Sequence, residues 1–199
     1  DAVSAGQYEP RAGDWLLFTR ATGGDEVYRI HRFDPVARQS IPVSPEGRRA
    51  GEPAWSRRSG RIAFTTVSID RNDASREAKT MLHLADPQAP GDARVLAELP
   101  GGGWFDFHFS PDDRRLAFVE YVSAEQSHVW LMDVATGKRR RLTPPPKGEP
   151  VYYARPQFSP DGRSLFVISD RGSEYRHVAV IDLATRREKA LAANLKFDV

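Results

Sequence analysis

Phe158-Ser159-Pro160-Asp161-Gly162-Arg163-Ser164-Leu165-Phe166-Val167 reads as a tight turn followed by a strand. Pro160 presets φ, Asp161 can hydrogen-bond its own backbone, and Gly162 tolerates positive φ. The apolar run ending at Val167 has strand composition. The same arrangement stands 49 residues earlier, where Phe109-Ser110-Pro111-Asp112 precedes Arg115-Leu116-Ala117-Phe118. It stands again where Trp55-Ser56 precedes Arg61-Ile62-Ala63-Phe64, and Trp15-Leu16-Leu17-Phe18 is a fourth copy of the apolar run. Each copy is followed by a further strand that ends in aspartate. These aspartates, Asp34, Asp86, Asp133 and Asp182, are spaced by 52, 47 and 49 residues.

A period of about 49 residues is that of repeat architectures built from small sheets. Turn residues after each aspartate, such as Ala135-Thr136-Gly137-Lys138, lead into a last short strand. Four strands per repeat is the content of one propeller blade. The repeat therefore predicts an all-β chain: a β-propeller segment of about four four-stranded antiparallel blades from a larger propeller of roughly seven or eight. The expected blades are 7–46, 47–100, 101–147 and 148–192, with residues 193–199 opening a fifth. Residues 71–79 are polar and are expected to form an exposed hairpin loop. The aspartate that closes each third strand is expected to bond the backbone of its own turn.

The 199 residues contain no Cys, which excludes a disulfide framework, a thiol nucleophile and a Cys-based zinc site. No apolar run approaches the ~20 residues of a membrane-spanning helix. Net charge is only +2, from 29 Lys+Arg against 27 Asp+Glu. The basic run Lys138-Arg139-Arg140-Arg141 and the pair Arg186-Arg187 are expected as solvated surface, so neither nucleic acid nor membrane is expected as a partner.

The ordered set of further segments carries a resemblance. Gly24-Asp25-Glu26-Val27-Tyr28-Arg29-Ile30, Gly101-Gly102-Gly103-Trp104, Val119-Glu120-Tyr121-Val122-Ser123, Ser169-Asp170-Arg171-Gly172-Ser173-Glu174 and Asn194-Leu195-Lys196-Phe197-Asp198-Val199 accompany the Phe-Ser-Pro-Asp-Gly repeats. Together they resemble the N-terminal propeller, built of TolB-like or PD40 repeats, of bacterial serine peptidases of the prolyl oligopeptidase (S9) family. The resemblance implies a non-catalytic propeller that gates and helps to bind peptide substrates, partnered by an α/β-hydrolase domain that this chain lacks. No Gly-x-Ser-x-Gly nucleophile elbow occurs in the sequence, so no catalytic residue is assigned. The alternative is a TolB-like propeller that serves as a protein-binding module. The resemblance fits either the bacterial periplasm or the cytoplasm.

Candidate site residues are few. Glu120, Glu125 and Glu174, with Arg171 beside them, fall in the connections between second and third strands, as do Asp25 and Glu26 in the first repeat. In a propeller such connections share one face, and carvboxylates gathered there suit a peptide's terminal ammonium group. His31, His83, His108, His128 and His177 follow the repeat and are expected to be structural or surface residues; no metal and no cofactor is expected. Gly101-Gly102-Gly103 lacks the Lys-Ser/Thr of a phosphate loop and is expected to mark a close backbone approach. Trp55, Phe109 and Phe158 are expected to be buried at equivalent positions, as are Phe64, Phe118 and Val167. Unpaired strand edges at the ends of the four blades are expected to support a homodimer.

Overall fold

The computed structural model describes residues 2–24, 26–69, 79–89, 91–144 and 149–191, none of them helical. The strands fall into four antiparallel meanders. The first comprises β1 (Ala2–Tyr8), β2 (Leu16–Ala21), β3 (Arg29–Asp34) and β4 (Gln39–Pro42). The second comprises β5 (Arg48–Ala50), β6 (Ala54–Trp55), β7 (Ile62–Ser68), β8 (Lys79–Ala85) and β9 (Arg94–Pro100); β5 and β6 both pair with β7. The third comprises β10 (Trp104–Phe109), β11 (Arg115–Ser123), β12 (Gln126–Asp133) and β13 (Arg139–Arg141), and the fourth β14 (Tyr153–Phe158), β15 (Ser164–Ser169), β16 (His177–Asp182) and β17 (Glu188–Ala190). Four such sheets are those of a partial β-propeller, as expected; the first begins at Ala2, ahead of the expected boundary at residue 7. Two compact units result, residues 1–102 and 103–199, each with two sheets. The expected hairpin at 71–79 and the tail 194–199 lie almost wholly outside the described residues, as does Asp25.

The repeated sequence motif is a set of side-chain caps. The Ser159 hydroxyl donates to Asp161 Oδ1 (2.6 Å) and accepts the Ser164 N–H (3.0 Å), while Asp161 Oδ1 accepts the Arg163 N–H (3.0 Å). Ser110 repeats this with Asp112 (2.6 Å) and the Arg115 N–H (2.9 Å). Gly162 sits at φ 68° and its counterpart Asp113 at φ 61°. The strand-ending aspartates also cap as expected: Asp182 Oδ1 accepts the Thr185 N–H (2.7 Å) and Asp133 Oδ1 the Thr136 N–H (2.8 Å). Gly103, at φ 81°, lies where a Cβ would stand 2.9 Å from the Tyr121 carbonyl oxygen, the close approach expected of the glycine run.

The first strand of every sheet is irregular. Pairing slips within β1, β10 and β14, and the second sheet splits this strand into β5 and β6. The slips in β10 and β14 hold Asp106 and Arg155 at φ 55° and 50°, and Asp106 Oδ2 accepts the Arg155 N–H at 2.8 Å.

Within unit 103–199, Ala117, Val129, Leu131 and Leu142 of the third sheet pack on Tyr153, Phe158, Leu165, Val167, Ala179 and Ile181 of the fourth. Within unit 1–102, Trp15, Leu17, Ile30 and Val43 pack on Ile62, Phe64 and Ala85. Phe64, Phe118, Val167, Phe109 and Phe158 are buried as expected. Trp55 is not: it is half-buried, because β6 is only two residues long and the indole lies beside that of Trp15, with ring centroids 5.2 Å apart. His31 and His83 are structural; they stack on Phe18 and Phe64 at 5.4 and 5.1 Å.

Candidate functional site

The junction of the third and fourth sheets positions the site. Ser127 opens β12 fully buried, and its hydroxyl both donates to the Tyr153 carbonyl (2.5 Å) and accepts the Tyr153 N–H (2.6 Å). Its own N–H donates to the Val151 carbonyl (3.1 Å). The incoming chain at 149–153 is thereby fastened to the neighbouring sheet. Asp170 adds a second fastening by accepting the Tyr152 N–H at 2.9 Å. Arg176 lies over the Tyr152 ring, 3.9 Å from its centroid.

These fastenings form one wall of an open cleft of about 930 Å³. Glu125 reaches it from the β11–β12 hairpin, Glu149 from the link into β14, and Asp170, Arg171 and Glu174 from the β15–β16 loop. Among the described residues, four carboxylates thus meet one guanidinium. That guanidinium is already committed: Arg171 Nη1 lies 3.1 Å from Glu188 Oε2, which also accepts the Tyr153 hydroxyl at 2.9 Å. The bond to Glu188 raises the Arg171 pKa, and burial followed by the Glu188 charge raises that of Tyr153, so both stay protonated at neutral pH. Among the described residues, no group of three or more His, Cys, Asp or Glu side chains is arranged to hold a metal ion. The cleft can attract a cation by summed Coulomb field, with no chelate geometry.

Of the residues singled out from sequence, Glu125, Glu174 and Arg171 share this cleft. Glu120 does not line it; its Oε2 accepts the Trp130 indole N–H at 2.7 Å. Glu26 is exposed in the other unit, at φ 55°. Glu149 carried no sequence signal, because only the fastening of the 149–153 segment brings it to the loops. A carboxylate four residues before a strand has no pattern of its own.

No protein-family model matches the sequence, and no curated protein matches it significantly. Solved structures do match. TolB from Acinetobacter baumannii superposes over 98% of this chain at a TM-score of 0.64 and 20% identity. A prolyl endopeptidase, one of two compared for inter-domain dynamics, superposes over 95% at 0.74 and 16%. A puromycin-hydrolysing peptidase from Mycobacterium tuberculosis superposes over 96% at 0.67 and 18%. The chain spans only 42%, 28% and 30% of the lengths of these three proteins. At such identities the likeness establishes architecture alone: this chain has the β-propeller fold shared by TolB and the prolyl endopeptidases, and carries part of such a propeller.

Proposed function

We propose that the chain is the non-catalytic propeller segment of a serine peptidase of prolyl-oligopeptidase type, where it gates entry and helps to bind short peptides by their N-terminal ammonium group. The observation that carries this reading is the convergence of Glu125, Glu149, Asp170 and Glu174, from three separate connections, on one cleft where, among the described residues, the one lining cation is paired with Glu188. An exposed carboxylate–ammonium pair contributes about 0.2–1 kcal/mol. Two such pairs therefore correspond to a roughly two- to thirtyfold preference for a free N-terminus. The absence of a Gly-x-Ser-x-Gly elbow in this sequence supports a binding role over a hydrolytic one. A TolB-like protein-binding module is the second reading, supported by the match to TolB over 98% of the chain.

Fluorescence anisotropy with short C-terminally labelled peptides tests the first reading. Peptides with a free N-terminus are expected to bind better than their acetylated forms, and Glu125→Gln with Glu174→Gln to abolish the difference. Equal binding of the two forms by the unmodified chain refutes it. The isolated chain is expected to hydrolyse no aminoacyl or dipeptidyl chromogenic substrate; a turnover that survives purification and is blocked by a fluorophosphonate refutes the non-catalytic assignment.

A further inference from the structure

The two basic stretches expected as solvated surface meet across the same pair of sheets. Arg140 pairs with Leu131 in the β12–β13 ladder, and Leu131 belongs to the core shared with the fourth sheet. Arg140 therefore stands on the side of β13 that faces β14–β17. It is half-buried, and its Nη1 is buried without an acceptor among the described residues. Burial, then the charges of Arg186 and Arg115, lowers its pKa, which is the direction for cations crowded without an anion.

A cleft of about 780 Å³, within the range of small-molecule sites, opens between the segment Arg141–Pro144 and the strands of the fourth sheet. Among the described residues, Arg141, Arg171, Arg186 and Arg187 line it, with buried His177 and one carboxylate, Glu188. Glu188 is engaged by Arg171 and Tyr153. Asp133 and Asp182, in the turns that precede β13 and β17, cap their own backbone. Among the described residues, Arg140, Arg141, Arg186 and Arg187 form no ion pair. Arg115, the other cation near Arg140, is satisfied by the Gly162 carbonyl at 2.7 Å and the Phe158 ring.

We propose that this cleft binds a small ligand through an oxyanion, a phosphate or carboxylate group, held by Arg186 and Arg187 from the fourth sheet and by Arg141 from the third. Guanidinium forks match both groups with paired N–H donors, and three uncommitted ones in one cleft favour a multiply charged ligand. The turn chemistry supplies a variant that separates binding from folding. Arg186 occupies a left-handed position, φ 59°, where the matching turn of the third sheet has Gly137 at φ 69°. Glycine at 186 relieves strain while removing a guanidinium.

Inorganic phosphate and citrate are titrated into the chain at constant ionic strength maintained with sodium chloride, and followed by calorimetry and thermal unfolding. At least one is expected to bind in the millimolar range or tighter and to raise Tm. Arg186→Gly is expected to raise or maintain the ligand-free Tm while weakening binding at least fivefold; Arg187→Gln is expected to weaken it similarly. Arg57→Gln, in the other unit, is expected to bind as the unmodified chain does. Stronger binding of phosphate assigns a phosphoryl ligand, and stronger binding of citrate a polycarboxylate. No response beyond that to chloride, or unchanged affinity in both cleft variants, overturns the proposal.

Discussion

Replacing Ser127 by alanine removes one oxygen that serves two bonds. The hydroxyl donates to the Tyr153 carbonyl at 2.5 Å and accepts the Tyr153 N–H at 2.6 Å, in a site only 1% exposed. Alanine fits the space, so the cost is electrostatic: one buried N–H and one buried C=O lose their partner. Each orphaned group costs about 1–3 kcal/mol. Partial relaxation of residues 149–153 brings the expected loss to about 2–4 kcal/mol. For a unit of this size, that is a fall in Tm of roughly 10–25 °C. Urea denaturation of Ser127→Ala against the unmodified chain measures the difference directly. Ser123→Ala is the control: its hydroxyl accepts only the Glu125 N–H, at 3.3 Å in an exposed hairpin, and its loss is expected to stay within about 0.5 kcal/mol. A Ser127→Ala loss below about 1 kcal/mol, or one equal to the Ser123→Ala loss, would show that the two sheets are not fastened at this point.

Three further outcomes are expected. Burial opposes ionisation of Glu9, yet the Ala12 N–H, the Arg11 side chain and the N–H groups of Gly13 and Arg11 bring its pKa down to about 2, below the ordinary 4.5. Its contribution is present above pH 4.5 and lost as pH falls towards 2, so Glu9→Gln should flatten the stability profile in that window. Burial, then the charge of Arg48, lowers the His83 pKa from 6.5 to about 4, and burial with Arg20 and Arg29 does the same for His31. The unfolded chain takes up these protons first, so stability should fall between pH 6.5 and 4 by at most about 1.4 kcal/mol per unit and histidine. His83→Gln, followed by urea midpoints across that range, should lessen the slope; an unchanged slope refutes the assignment. Asp113→Gly, at φ 61° where the fourth sheet has Gly162, should stabilise the chain by about 0.5–1 kcal/mol in thermal unfolding, and a destabilisation would contradict the equivalence of the two turns.

The blades were legible because their signals are local. Ser159 and Asp161 cap amides two to five residues away, and Asp182 caps its own turn, so the chemistry appears in consecutive letters. The clefts were legible only in part. Glu125, Arg171 and Glu174 are hairpin residues that the repeat places at one end of adjacent blades. Glu149 depends on how one sheet packs against the next, and no short pattern encodes that; the burial of Arg140 has the same origin. Arg140 looks like its exposed neighbour Arg139 in sequence; the ladder partner Leu131 is what turns it inward. Glu120 carried the right residue type in the right connection, but the Trp130 indole claims its carboxylate. Trp55 shows a limit of the repeat itself, because the break between β5 and β6 leaves its blade's first strand too short to cover the ring.

The bond from Asp106 to the Arg155 amide bears on how the molecule comes apart. One blade's side chain completes the backbone pairing of the next blade's first strand, at a point where both chains hold unfavourable dihedrals. Opening of the third sheet breaks that bond and frees the Arg155 N–H for exchange. Amide exchange at Arg155 thus reports the opening of β10 as well as that of β14. Coupling of this nearest-neighbour kind makes a stack of small sheets lose structure in linked steps rather than blade by independent blade.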